Sequence, residues 1–402
     1  MPDAPPFTSA ALPAIAARRY DTGEPVRISV VGERIASIDP AWPDRDIATW
    51  PFVAPGLFDL QVNGYGGIWF SNSTLSDSQA VAALRPWYAR GVTRLCPTLI
   101  TNSFDALATG LAAIRAACEQ DPQVNRQVAG CHLEGPWLSD QDGPRGAHPR
   151  QHIRPADWNE FCHLQEISGN RIRLTTIAPE VAGAVDFIGR ATANGVRVAI
   201  GHTAASAAQI NAAVEAGARL STHLGNGAHP QLKRHPNYIW DQLGDERLHA
   251  SVISDGDHLP ASVLRSLIRA KSARQVIITC DASGWAGCPP GIYENELGKV
   301  EVLGDGRIVV FGQHQLLAGS GRFTDQCVAA ARRLAGLSLA TAIDMASGQP
   351  ARFLGVEEAM LRRGGLADFF VYDDDIAAGE LKIRATVAAG RLVYGELPEV
   401  DA

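Results

Sequence analysis

The chain has 402 residues, 46% hydrophobic and 20% charged, with 39 Gly and 24 Pro spread along it. That excludes a disordered or fibrous protein and leaves room for two or three domains, or for one large barrel with a small companion. A formal charge of -7 excludes the basic field that holds a nucleic-acid backbone, so no nucleic-acid partner is expected.

At the N-terminus a short apolar stretch, Ala10 to Ala17, has Asp3 before it and Arg18-Arg19 after it, the reverse of a secretory signal. No apolar run approaches the roughly 20 residues of a membrane-spanning helix, so no membrane partner is expected. The seven cysteines (Cys96, Cys118, Cys131, Cys162, Cys280, Cys288 and Cys327) form no CxxC pair and are odd in number. A disulfide framework does not look like that, and the reading is a cytoplasmic protein in a reducing compartment.

Arg27 to Asp39 is two β-branched runs around Gly32-Glu33, a hairpin signal. Ala367 to Tyr372 and Arg384 to Tyr394 read the same way at the other end. Each piece is too small to bury its own face, so the two ends are expected to form one small β-sandwich domain, residues 1–54 with 363–402.

Between them, residues 55–362 alternate strand-like runs with Ala-rich helical stretches such as Phe104 to Cys118 and Ser206 to Ala216, the pattern of parallel βαβ units. The strand-like runs are Leu57 to Asn63, Val92 to Thr98, Val128 to Glu134, Ile172 to Thr176, Val196 to His202, Arg219 to His223, Ala250 to Asp255 and Val276 to Asp281. Eight such runs suit an α/β fold of the (β/α)8 TIM-barrel type, and no GxGxxG follows the first. Barrel chemistry sits at C-terminal strand ends, and Asp140 to Arg154 is the expected active-site loop.

Four strand-end residues carry that chemistry: Glu134, His202, His223 and Asp281. One carboxylate and two imidazoles suit a divalent transition metal, and an acid left unligated can move protons.

Six motifs accompany them: Pro55-Gly56-Leu57-Phe58-Asp59-Leu60-Gln61-Val62-Asn63-Gly64, Pro97-Thr98-Leu99-Ile100-Thr101, His132-Leu133-Glu134-Gly135-Pro136-Trp137, Gly201-His202-Thr203, Thr222-His223-Leu224 and Asp255-Gly256-Asp257-His258. Together, from about Ala54 to Leu354, the chain resembles the N-acetylglucosamine-6-phosphate deacetylases of the amidohydrolase superfamily. The resemblance implies a metal-dependent hydrolase of carbohydrate metabolism that releases acetate from an N-acetyl amino sugar phosphate.

Binuclear amidohydrolases begin with an HxH pair and bridge two metals with a carboxylated lysine. Here Gln61 and Asn63 hold the pair positions, and none of the four lysines lies at a strand end. Neutral amides are weak ligands for transition metals. The expected cofactor is therefore one divalent ion per chain on Glu134, His202 and His223, zinc first, with iron, cobalt or manganese as alternatives. Asp281 then acts as proton shuttle between the attacking water and the leaving amine. By resemblance, His258 polarises the amide carbonyl and His148 contacts substrate.

For the substrate's far end, the resemblance implies Asn226, Gly227 and Arg234, the arginine being lent by a neighbouring subunit of a homodimer. An arginine fork suits phosphate. The chain departs from the family pattern here, reading Gly225-Asn226-Gly227-Ala228-His229-Pro230 where an aromatic and then Asn-Ala-Met are usual. An alternative substrate is therefore an unphosphorylated N-acetyl sugar or another amide.

Overall fold

A computed structural model describes residues 12–42, 47–375 and 379–398. Asp3 and Ala10, which belong to the N-terminal stretch, lie outside the described residues. The central sheet has eight parallel strands in chain order: Leu57–Val62, Val92–Ile100, Cys131–Glu134, Ile172–Ile177, Arg197–Ile200, Leu220–Ser221, His249–Ile253 and Val276–Thr279. All eight expected runs are present. Their interior residues are almost continuously buried, as both faces of a barrel sheet require.

Helices cover the outside of this sheet. Phe104–Gln120 starts at Ser103, whose side chain accepts from the Ala106 amide. Ala207–Ala216 starts with a capping box of Ser206 and Gln209.

Several strands stop before the residues expected to end them. The fifth, sixth and eighth end at Ile200, Ser221 and Thr279, and His202, His223 and Asp281 follow with φ of 49°, 29° and 52°. That left-handed backbone cannot continue a ladder, so the chain turns and lifts each side chain over the barrel mouth.

The ladder does not close between the first and eighth strands; one isolated bridge, Val62 with Ala282, lies just past the end of the eighth. Asp59 closes the gap with its side chain. Fully buried, it accepts from the amides of Gln61 and Cys280, both at 3.0 Å, and from the hydroxyls of Thr279 and Thr324. The first strand is thereby tied to the eighth beside Asp281.

The two chain ends meet in one seven-stranded sheet. Ile15–Arg19, Pro25–Val31, Arg34–Pro40 and Phe52–Pro55 come from the front, and Phe369–Asp375, Glu380–Ala388 and Arg391–Gly395 from the back. The join is antiparallel, with Phe369 opposite Pro55. Phe369 and Val371 fill this sheet's own core with Ile28 and Val53, while Phe370 and Tyr372, on the other face, pack into the barrel core.

The sequence reading missed a second antiparallel sheet, a meander of Gly291–Asn295, Gly298–Val302, Ile308–Val310 and Gln313–Leu317. Its first two strands are short and half-exposed, with Val300 and Val302 as their buried residues, so their hydrophobic signal is weak.

Candidate active site

The C-terminal mouth of the barrel opens into a cavity of about 930 Å³, lined by Glu134, His148, His202, His223, His258 and Asp281 among others. Glu134 ends the third strand, 2% exposed. Its Oε1 lies 3.2 Å from His223 Nε2 and 3.3 Å from His202 Nε2, and the two imidazole nitrogens are 3.0 Å apart. Among the described residues these three form the one group whose ligand atoms all lie within 4.8 Å of one another.

The tautomer of His202 fits a metal. Its Nδ1–H donates to the Pro144 carbonyl at 2.9 Å, which leaves the Nε2 lone pair facing the cluster. Burial alone raises the Glu134 carboxyl, but the contacts with His202 and His223 outweigh it and hold it well below its usual range. A carboxylate and two imidazoles converging in this way form a donor set suited to one divalent transition ion.

Gln61 and Asn63 occupy the same space as donors. The Gln61 amide nitrogen bridges two carboxylates, Glu134 Oε1 at 2.9 Å and Asp281 Oδ1 at 3.0 Å. Asn63 donates to that same Asp281 oxygen at 2.8 Å. The pair thus donates hydrogen bonds to the two acids. Burial, followed by the nearby charge of Glu134, pushes Asp281 up to about 6.

His258 lines the same cavity. Its Nδ1–H donates to Asp255 Oδ2 at 2.7 Å, an oxygen that also accepts from Ser320. Asp255 therefore fixes the ring, with Nε2 left for the cavity. The sequence reading missed this role, although Asp255 and His258 stand three apart in the same motif.

His148 is buried, not a solvent-exposed loop residue. Nδ1 meets Thr101 Oγ1 at 2.9 Å, and Nε2 lies 3.2 Å from His202 Nε2. Its loop is held by Arg145, which donates to the His148 carbonyl at 2.9 Å and to Asp142 at 2.7 Å.

No family model matches the chain. N-acetylglucosamine-6-phosphate deacetylase of Bos taurus is 34% identical to it over 353 residues, 85% of this chain and 83% of that protein. The chain belongs to the N-acetylglucosamine-6-phosphate deacetylase family. N-acetylgalactosamine-6-phosphate deacetylase of Escherichia coli O157:H7 is 31% identical over 362 residues, 88% of this chain and 92% of its own. In three dimensions the chain superimposes on a mutant N-acetyl-D-glucosamine-6-phosphate deacetylase from Mycobacterium smegmatis in complex with N-acetyl-D-glucosamine-6-phosphate. The TM-score is 0.83 at 28% identity, covering 94% of this chain and 99% of the other.

As a deacetylase of the amidohydrolase superfamily, the protein is a hydrolase of carbohydrate metabolism, and that superfamily is metal-dependent. The residues expected at the substrate's far end divide in two. Asn226 and Gly227 line the cavity. Gly227 adopts φ +56°, and a Cβ there would meet His202 Nδ1 at 2.9 Å, so it packs against the imidazole as well as facing the cavity. Arg234 is exposed and does not line the cavity of its own chain.

An aromatic wall also escaped the sequence reading. Trp69 and Trp285 line the cavity and meet edge to face at 6.5 Å, and Tyr293 of the meander stacks on Trp285 at 4.9 Å.

Proposed function

We propose that the chain deacetylates an N-acetyl amino sugar 6-phosphate, with N-acetylglucosamine 6-phosphate as the first candidate. The observation that carries this reading is that the Glu134, His202 and His223 cluster, Asp281 and His258 all face one cavity. One divalent ion, zinc first, would be held by Glu134, His202 and His223. When bound, it supplies Lewis acidity that makes water nucleophilic near neutral pH.

The remaining steps belong to the chain's own residues. Asp281, aimed by Gln61 and Asn63, accepts the proton of the attacking water and returns it to the leaving amine. His258, steadied by Asp255, presents Nε2 to the acetamide carbonyl as negative charge develops there. The aromatic wall of Trp69 and Trp285 offers an apolar face to the sugar ring. Asn226, Gly227 and His148 contact the substrate from the loop side.

Arg234 serves the phosphate from the neighbouring subunit of a homodimer; its exposure outside its own cavity supports that arrangement. The chain divides into a small domain, 1–54 with 363–402, and a barrel, 55–362. A cytoplasmic setting is supported by seven unpaired cysteines. A galactosamine epimer is the second reading, supported by the 31% identity to the N-acetylgalactosamine-6-phosphate deacetylase of Escherichia coli O157:H7.

Acetate release from N-acetylglucosamine, N-acetylgalactosamine and their 6-phosphates tests the proposal. Turnover confined to the phosphorylated sugars is the expected outcome. Equal turnover of the unphosphorylated sugars would reject the phosphate assignment.

A further inference from the structure

The opposite end of the barrel carries a second cavity, of about 670 Å³, within the size range of small-molecule sites. Arg197 begins the fifth strand and His249 the seventh, while Arg219 and Arg274 stand just before the sixth and eighth. All four line the cavity, at the N-terminal ends of adjacent strands. Arg352 and Phe353, from the helix Gly348–Leu354, close it together with Asp344. Four arginines share this lining with a single carboxylate, in a chain whose formal charge is -7.

That one carboxylate is already neutralised. Arg352 donates to both oxygens of Asp344 at 2.8 Å. The other three guanidiniums have no carboxylate partner among the described residues. Arg219 is anchored by Nη1, which donates to the carbonyls of Val214 and Ala218, both at 2.7 Å, leaving the rest of its fork free. Arg197 lies over the Phe353 ring at 5.9 Å. His249 packs on the same ring at 5.5 Å, and its Nδ1 is buried without a hydrogen-bond partner.

Solvated arginines scattered over a surface need no explanation. Here three cations converge on one concave surface with an aromatic floor, at a cost in mutual repulsion that a bound anion would relieve. Guanidinium forks match the oxygens of a phosphate, and the ring of Phe353 gives an attached organic group something to lie on. The volume exceeds what a bare phosphate fills.

We propose that this cavity is a second ligand site, which binds a small phosphorylated metabolite by its phosphate monoester through Arg197, Arg219 and Arg274. The site is separate from the deacetylase centre, at the other end of the barrel, and does not depend on which sugar that centre takes.

Calorimetric titration of the metal-loaded enzyme with inorganic phosphate and with glucose 6-phosphate, at constant ionic strength, tests this. The expected result is tighter binding of glucose 6-phosphate than of phosphate. Each charge-assisted contact removed should weaken binding by roughly 10-fold or more, so R197A/R274A should lose about 100-fold. Deacetylase turnover of that double variant should match wild type, which also shows that it is folded. Should the double variant be unstable, R274K keeps the charge but loses the fork, and a weakening of several-fold is expected. Equal binding of the two probes overturns the organic part of the proposal, and unchanged affinity in the variants overturns all of it.

Discussion

The floor and the rim of the active-site cavity are built in different ways. On the floor, Glu134, His202 and His223 are buried at strand ends. Two of them are constrained twice, by the sheet below and by a partner beside them, Pro144 for His202 and Gln61 for Glu134, while His223 is placed by its backbone amide, which donates to Ser251 Oγ at 2.7 Å. On the rim, the meander Gly291–Leu317 pairs its charges with one another, as Lys299 does with Glu294 at 3.7 Å, and Arg234, exposed on an irregular loop outside its own chain's cavity, is proposed to serve the rim of a neighbouring subunit. The difference shows where precision resides. On the proposed function, the bond-breaking groups need fixed geometry and stand at the strand ends, whereas recognition is left to segments that can vary without disturbing them.

The sharpest way to break the floor is to remove a ligand. Glu134→Gln takes the one anionic donor from the cluster, and the bound ion, expected at about one per chain in the wild type, should largely disappear together with turnover. Elemental analysis of the purified variant checks it, and full metal content would remove Glu134 from the ligand set.

Asp281→Asn separates proton transfer from metal binding. Turnover should drop by roughly 10² to 10⁴-fold with the metal retained, the span of general acid–base groups. Steady-state kinetics alongside metal analysis measures both, and near-normal turnover would reduce Asp281 to a structural acceptor for Gln61 and Asn63.

The rim is tested through Arg234→Ala. Losing a charge-assisted contact to phosphate should lower kcat/KM for the phosphorylated sugar by roughly 10 to 150-fold and leave an unphosphorylated sugar unaffected. Mixing this variant with inactive Asp281→Asn should restore part of the activity if the arginine crosses a dimer interface. No restoration in mixed dimers would place Arg234 elsewhere.

Gly227→Ala probes the seam between the two regions. A Cβ at this left-handed position would press on His202 Nδ1 at 2.9 Å, so metal affinity should weaken by roughly 10 to 100-fold, as is typical when a ligand's supporting contacts are disturbed. Chelator competition measures it, and unchanged affinity would show that the loop yields without moving the imidazole.

The same contrast explains what could be read in advance. The eight strands were legible because burial on both faces demands continuous apolar runs, each closed by a polar residue. Glu134, His202, His223 and Asp281 were legible as those closing residues. The meander was not picked out, since its strands are short and only Val300, Val302, Ile308 and Val309 of them are buried, between charged and polar positions. Gln61 and Asn63 were recognised as unfit to be ligands, but their role as donors to Asp281 required the first and eighth strands to be adjacent. Arg234 was named by the family resemblance, which also implied that it is lent to a neighbouring subunit.

By itself, then, the sequence determined the barrel, the joining of the two chain ends and the chemical types at the strand ends, because local periodicity and residue chemistry suffice for these. Only the tertiary structure decided which distant groups meet. Asp59 ties the two strands that the ladder leaves open, Ser320 joins Asp255, the support of His258, and Arg197, Arg219 and Arg274 gather at the far end of the barrel. Each of these depends on residues far apart in the chain, and such pairings are set by packing and hydrogen-bond satisfaction across the whole fold.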